Sequence, residues 1–113
     1  MHEYSIVAAL VDRVQREVEA RPGAVPRVLH VRIGELAGVE LPLLRTAFET
    51  FRARTVCEAA ELAIESVPAA WRCAACGRAL ATGEILRCCG KPARLAAGDD
   101  IMLEQIELEV RDV

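Results

Sequence analysis

At 113 residues and 53% hydrophobic, the chain is sized for one ordinary domain or a small domain with a subsidiary module, and it is too apolar for disorder. A net charge of −3 argues against general binding of nucleic acid or acidic membranes, which needs a basic excess. No stretch approaches the roughly 18 apolar residues of a membrane span. The first apolar run, broken by Asp12 and Arg13, lacks the form of an export signal, so a cytoplasmic location is expected, where clustered cysteines more often hold metal than disulfides.

From Tyr4 to about Ala20, Val7, Leu10, Val11, Val14 and Val18 recur at helical spacing with charged residues on the other face, which predicts an amphipathic helix. Arg21-Pro22-Gly23 stops it. Residues Arg27 to Ile33 alternate, with Leu29, Val31 and Ile33 on one face and His30 and Arg32 on the other, as in a half-buried strand. A connection through Gly34 and Gly38 leads to Glu40. A second helix begins near Pro42, with Leu44, Ala47, Phe48 and Phe51 as its buried stripe. Further strands are expected at about Glu61 to Val67 and Glu104 to Val110. The pattern describes an α+β fold: two helices on one face of a small three-stranded sheet, formed by residues 1–67 and 101–113.

Residues 68–100 interrupt this unit. They are too few, and too poor in large apolar side chains, to fold on a core alone. They carry four of the five cysteines, in the stretch WRCAACGRALATGEILRCCG. Cys73-x-x-Cys76 followed by Gly77 has the form of a zinc knuckle, which delivers two thiolates from one tight turn. Cys89-Gly90 repeats the closing pair, but Leu86 stands where the partner cysteine is expected and Cys88 lies directly adjacent. Neighbouring residues of an extended chain point to opposite sides, so Cys88 and Cys89 can share one ion only if the backbone folds sharply there. The expectation is a closed structural zinc site in an inserted zinc-ribbon-like β module, with Cys73, Cys76, Cys88 and Cys89 as candidate ligands. A thiol redox pair is the competing reading, and it is weakened because the C-x-x-C does not open a helix. Cys57 reads as a small buried hydrophobe.

A closed four-thiolate site leaves no open position for catalysis, and no catalytic constellation is visible elsewhere, so no enzyme is expected. Attention passes to Met1-His2-Glu3, placed directly before the first helix. A terminal histidine is ordinarily solvated. Here the terminal amine, the deprotonated His2 amide and the His2 imidazole can also close adjacent chelate rings, with the Glu3 amide as a fourth nitrogen. Planar nitrogen donors suit Ni(II) or Cu(II). The carboxylates of Glu3 and Glu40 add oxygen donors if the fold brings them close.

The opening MHEYSIV, then VRIGELAGVE, AFETFR, the C-x-x-C loop and the final EQIELEV together resemble the HypA/HybF hydrogenase maturation factors, over essentially the whole chain. That resemblance implies a nickel metallochaperone with an α+β nickel domain and an inserted zinc domain. It implies nickel held by His2 with the Met1 amine, and Glu3 as the adjacent motif residue. Glu40 falls where some members carry an acidic residue near the metal. Zinc is implied at Cys73, Cys76 and Cys89, the vicinal Cys88-Cys89 departing from the family's second C-x-x-C. The implied partners are a GTPase nickel-insertion accessory protein, the [NiFe] hydrogenase large subunit precursor and urease accessory proteins, with neither nucleic acid nor membrane, and the chain acting as a monomer or weak homodimer. A zinc-ribbon adaptor without transferable metal, or a thiol redox protein, is the alternative.

Overall fold

The computed structural model describes residues 2–81 and 87–110. The elements, in chain order, are α1 (His2–Glu19), β1 (Ala24–Gly34), α2 (Leu41–Phe51), β2 (Glu61–Val67), β3 (Ala70–Cys73), β4 (Ala79–Leu80), β5 (Arg87–Cys88), β6 (Lys91–Ala97) and β7 (Ile101–Val110). They form a three-stranded sheet in the order β2-β1-β7 and a four-stranded sheet in the order β4-β3-β6-β5. The fold is therefore α+β, with two helices and a second, cysteine-bearing β module. The chain divides into two compact units, one of Met1–Val31, Val39–Glu65 and Met102–Val113, the other of Arg32–Gly38 and Ser66–Ile101.

In the first unit, Val7, Leu10, Val11 and Val14 of α1 are buried together with Leu44, Ala47 and Phe48 of α2, Leu29 and Val31 of β1 and Leu62 of β2. Burying a side chain such as Leu29 or Phe48 contributes about 1.5–3 kcal/mol. Phe51 is half-buried and meets Tyr4 edge-to-face, the ring centroids 5.8 Å apart. The other side of the sheet is wet. There Arg27 pairs with Glu109 and His30 with Glu107, the order reversing along the two strands as in antiparallel neighbours.

Strand β1 starts at Ala24, three residues earlier than the alternation of Arg27–Ile33 indicates. Its burial changes phase at Arg27–Val28, so that Ala24 and Pro26 face the core with Leu29, Val31 and Ile33. Pro26 has no amide to give to a central strand, and it is accommodated beside this irregularity. Helix α1 also starts early. His2 and Glu3 lie within its first turn rather than ahead of it.

The second unit has a thin core. Trp71 stands opposite Leu80 and Leu95 across an antiparallel ladder, but only Cys73 and Leu80 of these strands are fully buried. Its tightest packing is between backbones. Gly34 N–H donates to Asp100 O at 2.8 Å, Glu35 N–H to Val67 O at 2.8 Å and Leu36 N–H to Gly98 O at 2.7 Å. A Cβ on Gly34 would fall 2.1 Å from the Gly98 carbonyl carbon. Gly98 itself has φ +102° and lies against the Ala69 backbone. Among the described residues no helix is long and apolar enough to cross a membrane.

Candidate metal centre

Two turns build the cysteine cluster. The first joins β3 to β4. Gly77 N–H closes it on Cys73 O at 2.9 Å, Cys73 N–H donates to Arg78 O at 2.9 Å, and Gly77 adopts φ +76°. The second joins β5 to β6, whose register pairs Arg87 with Pro92 and Cys88 with Lys91. Cys89 and Gly90 are therefore the two central residues of a tight hairpin, with φ +55° and +71°. Positive φ at both positions is the signature of a type I′ turn, which matches the natural twist of two antiparallel strands. Glycine enters that region freely, whereas for Cys89 it costs about 1–2 kcal/mol. This is the sharp fold that adjacent ligands require: Cys88 and Cys89 do not diverge as in an extended strand.

The result brings one sulfur from each of Cys73, Cys76, Cys88 and Cys89 within 4.8 Å of all the others. The Cys76 and Cys88 sulfurs are 3.9 Å apart and those of Cys88 and Cys89 3.8 Å. All four cysteines are free thiols, and these separations are far from a disulfide bond. Four sulfurs at the corners of a tetrahedron, each about 2.3 Å from a central Zn²⁺, would lie about 3.8 Å apart. The donor set and the spacing both fit zinc. Leu86 lies outside the described residues.

The thiols are not equivalent. Cys73 is buried, and its sulfur accepts the amide N–H of Ala75 at 3.3 Å and of Cys76 at 3.4 Å. Those backbone donors, the Cys76 amide first, bring its pKa down to about 6. Cys89 goes the other way, pushed up to about 12 by the Cys88 thiol first and then by Cys76 and Cys73. Thiols this close cannot all ionise unless a cation compensates them. Cys57 lies apart, fully buried, with its thiol raised to about 11 by desolvation, an inert structural residue.

At the N-terminal end of α1, His2 is exposed and Glu3 half-buried. Glu3 Oε2 accepts the backbone N–H of Glu40 at 3.4 Å. Its carboxyl is held below the usual carboxylate range by its own amide first and then by that of Glu40, against some desolvation. Glu40 is the N-cap residue of α2 and is exposed, with no capping bond from its side chain. The fold thus brings Glu3 to Glu40, through the Glu40 amide rather than between the two carboxylates. Met1, and with it the terminal amine, lies outside the described residues.

No role is expected for Arg72 or Arg87 from the sequence. The structure ties each to a turn: Arg72 Nη1 donates to Gly77 O and Arg87 Nη2 to Gly90 O, both at 3.0 Å. The signal was present as a repeat, since both cysteine turns open with Arg-Cys and close with Cys-Gly.

Residues 1–108 match the family model described as hydrogenase/urease nickel incorporation, metallochaperone, hypA. The chain is 38% identical to the hydrogenase maturation factor HypA of Shewanella halifaxensis, with 96% of this chain and 98% of the relative covered. It is 34% identical to that of Wolinella succinogenes, with 99% and 98% covered. Its fold is similar to the solution structure of the Ni metallochaperone HypA from Helicobacter pylori, with a TM-score of 0.74 and 25% identity over 96% of this chain and 98% of the other.

Proposed function

The chain belongs to the HypA family of nickel metallochaperones for hydrogenase maturation, and on that premise we propose that it takes up Ni(II) at its N-terminus and delivers it for assembly of the [NiFe] hydrogenase active site. Residues 1–67 and 101–113 form the nickel domain, and the inserted residues 68–100 hold a structural zinc through Cys73, Cys76, Cys88 and Cys89. The observation that carries the nickel reading is the exposed first turn of α1 in a chain the family model matches from residue 1.

His2 supplies its imidazole and its amide nitrogen, and the Met1 amine closes the chelate. Amides of a helix's first turn have no intrahelical acceptor, so binding at the His2 amide breaks no helical hydrogen bond. The Glu3 amide is the candidate fourth nitrogen, but it must first leave its own carboxylate. The positive end of a helix dipole disfavours a bound cation. Ionised amides and the Glu3 carboxylate offset that field, and Glu40 adds a second carboxylate to the neighbourhood. An exposed site whose charge is only partly balanced suits cargo that must be released. The zinc differs in kind: four thiolates close its coordination and leave it a folding role. The chain's own task is carriage rather than catalysis. Its partners are a GTPase nickel-insertion accessory protein, the hydrogenase large subunit precursor and urease accessory proteins, in the cytoplasm.

The test is metal content and nickel titration of protein with an unmodified N-terminus. His2→Ala, or an N-terminal extension, is expected to remove the stoichiometric nickel site while zinc content and circular dichroism stay unchanged. Unchanged nickel affinity in either variant overturns the reading, and one zinc with no stoichiometric nickel in the parent protein favours the adaptor. Protons compete for amine and imidazole, so acid weakens nickel uptake.

The cysteine site carries a separate pH signature. Because the folded Cys73 pKa of about 6 lies below its ordinary value, that thiolate stabilises the metal-free fold above the ordinary thiol range and the contribution is lost as pH falls through about 6. Zinc binding at neutral pH is therefore expected to release fewer than four protons, the number rising below about pH 6. Calorimetry in buffers of different ionisation enthalpy reads that number directly. Release of four protons at neutral pH would contradict it.

A further inference from the structure

The arginines of the repeated Arg-Cys…Cys-Gly turns have a common direction. Arg72 lies directly opposite Arg94 across β3 and β6, and Arg87 directly opposite Pro92 across β5 and β6. Opposed residues share a sheet face, as do residues two apart on a strand. Arg72, Arg87 and Arg94 therefore stand on one face of the four-stranded sheet, and Cys73 and Cys88 on the other. All three arginines are exposed; Ala79 flanks Arg72 on the edge strand β4, and Pro92 lies beside Arg87, on β6.

This arrangement is unfavourable for the sheet by itself. Like charges directly opposite one another destabilise a ladder, and Arg72 against Arg94 is such a pair. It also concentrates charge: the inserted residues 68–100 carry a net +2 within a chain of net −3. Two of the guanidiniums are held in place, each donating one N–H to the glycine carbonyl of its own turn. A guanidinium has five donors, so most remain available, in a fork that matches a carboxylate.

We propose that this face docks an acidic polypeptide segment, a Glu- or Asp-rich stretch of a partner protein, by charge complementarity. Adjacent strands lie about 4.8 Å apart and alternate residues of one strand about 7 Å. Arg72 and Arg94 stand one strand spacing apart, and Arg87 lies diagonally from Arg94, one strand across and two residues along, roughly 8 Å away. Carboxylates on alternate residues of an extended chain, which point to one side about 7 Å apart, suit that spacing. Nucleic acid fits less well. Trp71, the only tryptophan, lies on the opposite face, which leaves no indole for base stacking. The pinning of Arg72 and Arg87 rests on the zinc reading, since the accepting carbonyls directly follow Cys76 and Cys89.

The test uses the full chain with its zinc content measured, titrated with a fluorescent glutamate-rich peptide of about a dozen residues and, in parallel, with a single-stranded oligonucleotide. Arg94→Glu is expected to weaken the peptide by about tenfold, roughly 1.4 kcal/mol. Its thermal midpoint should hold or rise, because the substitution replaces a like-charge pair with an opposite-charge one. Retained stability with lost binding separates docking from folding. Equal peptide affinity in Arg94→Glu, no peptide binding by the parent, or tighter binding of the oligonucleotide than of the peptide overturns the proposal. Peptide binding through Arg94 in protein without zinc supports the arginine face and discards only its link to the metal.

Discussion

Cys73→Ser is expected to abolish zinc binding and leave the four-stranded sheet without fixed structure. Structural zinc contributes on the order of 10–16 kcal/mol of apparent binding free energy to small domains at neutral pH, and that energy is folding energy. This module has little else to draw on. Among the described residues of its strands only Cys73 and Leu80 are buried, and Trp71 and Leu95 are half-buried. Cys73 is also the candidate ligand the backbone prepares most fully, through the amides of Ala75 and Cys76. A serine hydroxyl supplies neither the soft donor nor the ionised form. Elemental analysis with amide hydrogen exchange reads both effects. Cys57→Ser is the matched control. It keeps its zinc and loses about 1–3 kcal/mol of stability from a buried hydroxyl in place of a fully buried thiol. Full zinc occupancy in Cys73→Ser would remove this cysteine from the ligand set. Separate Cys88→Ser and Cys89→Ser variants show how the vicinal pair shares the work.

Gly34→Ala has the second large effect, through backbone packing alone. The added methyl would sit 2.1 Å from the Gly98 carbonyl carbon and 2.6 Å from the Asp99 nitrogen, so main chain must move. Moving it costs the Gly34–Asp100 and Leu36–Gly98 hydrogen bonds as well as the overpacking itself. The sum is about 3 kcal/mol or more, a large part of the roughly 5–15 kcal/mol by which domains are stable. Thermal unfolding is expected to shift downward by on the order of 10 °C or more. A shift of only a degree or two would mean that the crossing relaxes cheaply.

What was legible in the sequence followed the strength of periodic patterning. The stripe Val7, Leu10, Val11 and Val14 announces α1, because one buried face imposes a regular spacing, and Glu61–Val67 is the observed extent of β2 although only Leu62 of it is buried. The start of β1 was missed because Pro26 argues against a central strand and the phase shift at Arg27–Val28 hides the alternation. Strands β3 to β6 were not individually legible, since ladder hydrogen bonds and turn geometry define their short, alanine-rich runs. Strand order was beyond reach, because a pairing partner leaves no mark on a single strand's pattern. The cysteine cluster was readable from spacing as far as Cys73 and Cys76. For Cys88 and Cys89 the sequence stated the requirement, a sharp fold, and only the backbone shows how it is met: Cys89 takes a conformation ordinarily left to glycine. The meeting of Glu3 with the Glu40 amide joins the starts of two helices distant in sequence, which no local pattern encodes.

The hairpin that makes Cys88 and Cys89 neighbours also governs how an ion would leave. Two donors on consecutive residues behave as one bidentate arm with a very high effective concentration. Were both to ligate a soft ion, a thiolate that let go would leave its neighbour holding the ion within reach, and recapture would outpace escape. Two donors separated by a long loop would drift apart in the same interval. Escape would then require both bonds of the arm to break together, and the rate of loss to a competing chelator would fall further than equilibrium affinity alone indicates. Shortening the second turn to two residues, at the cost of a strained cysteine, exchanges conformational ease for retention time.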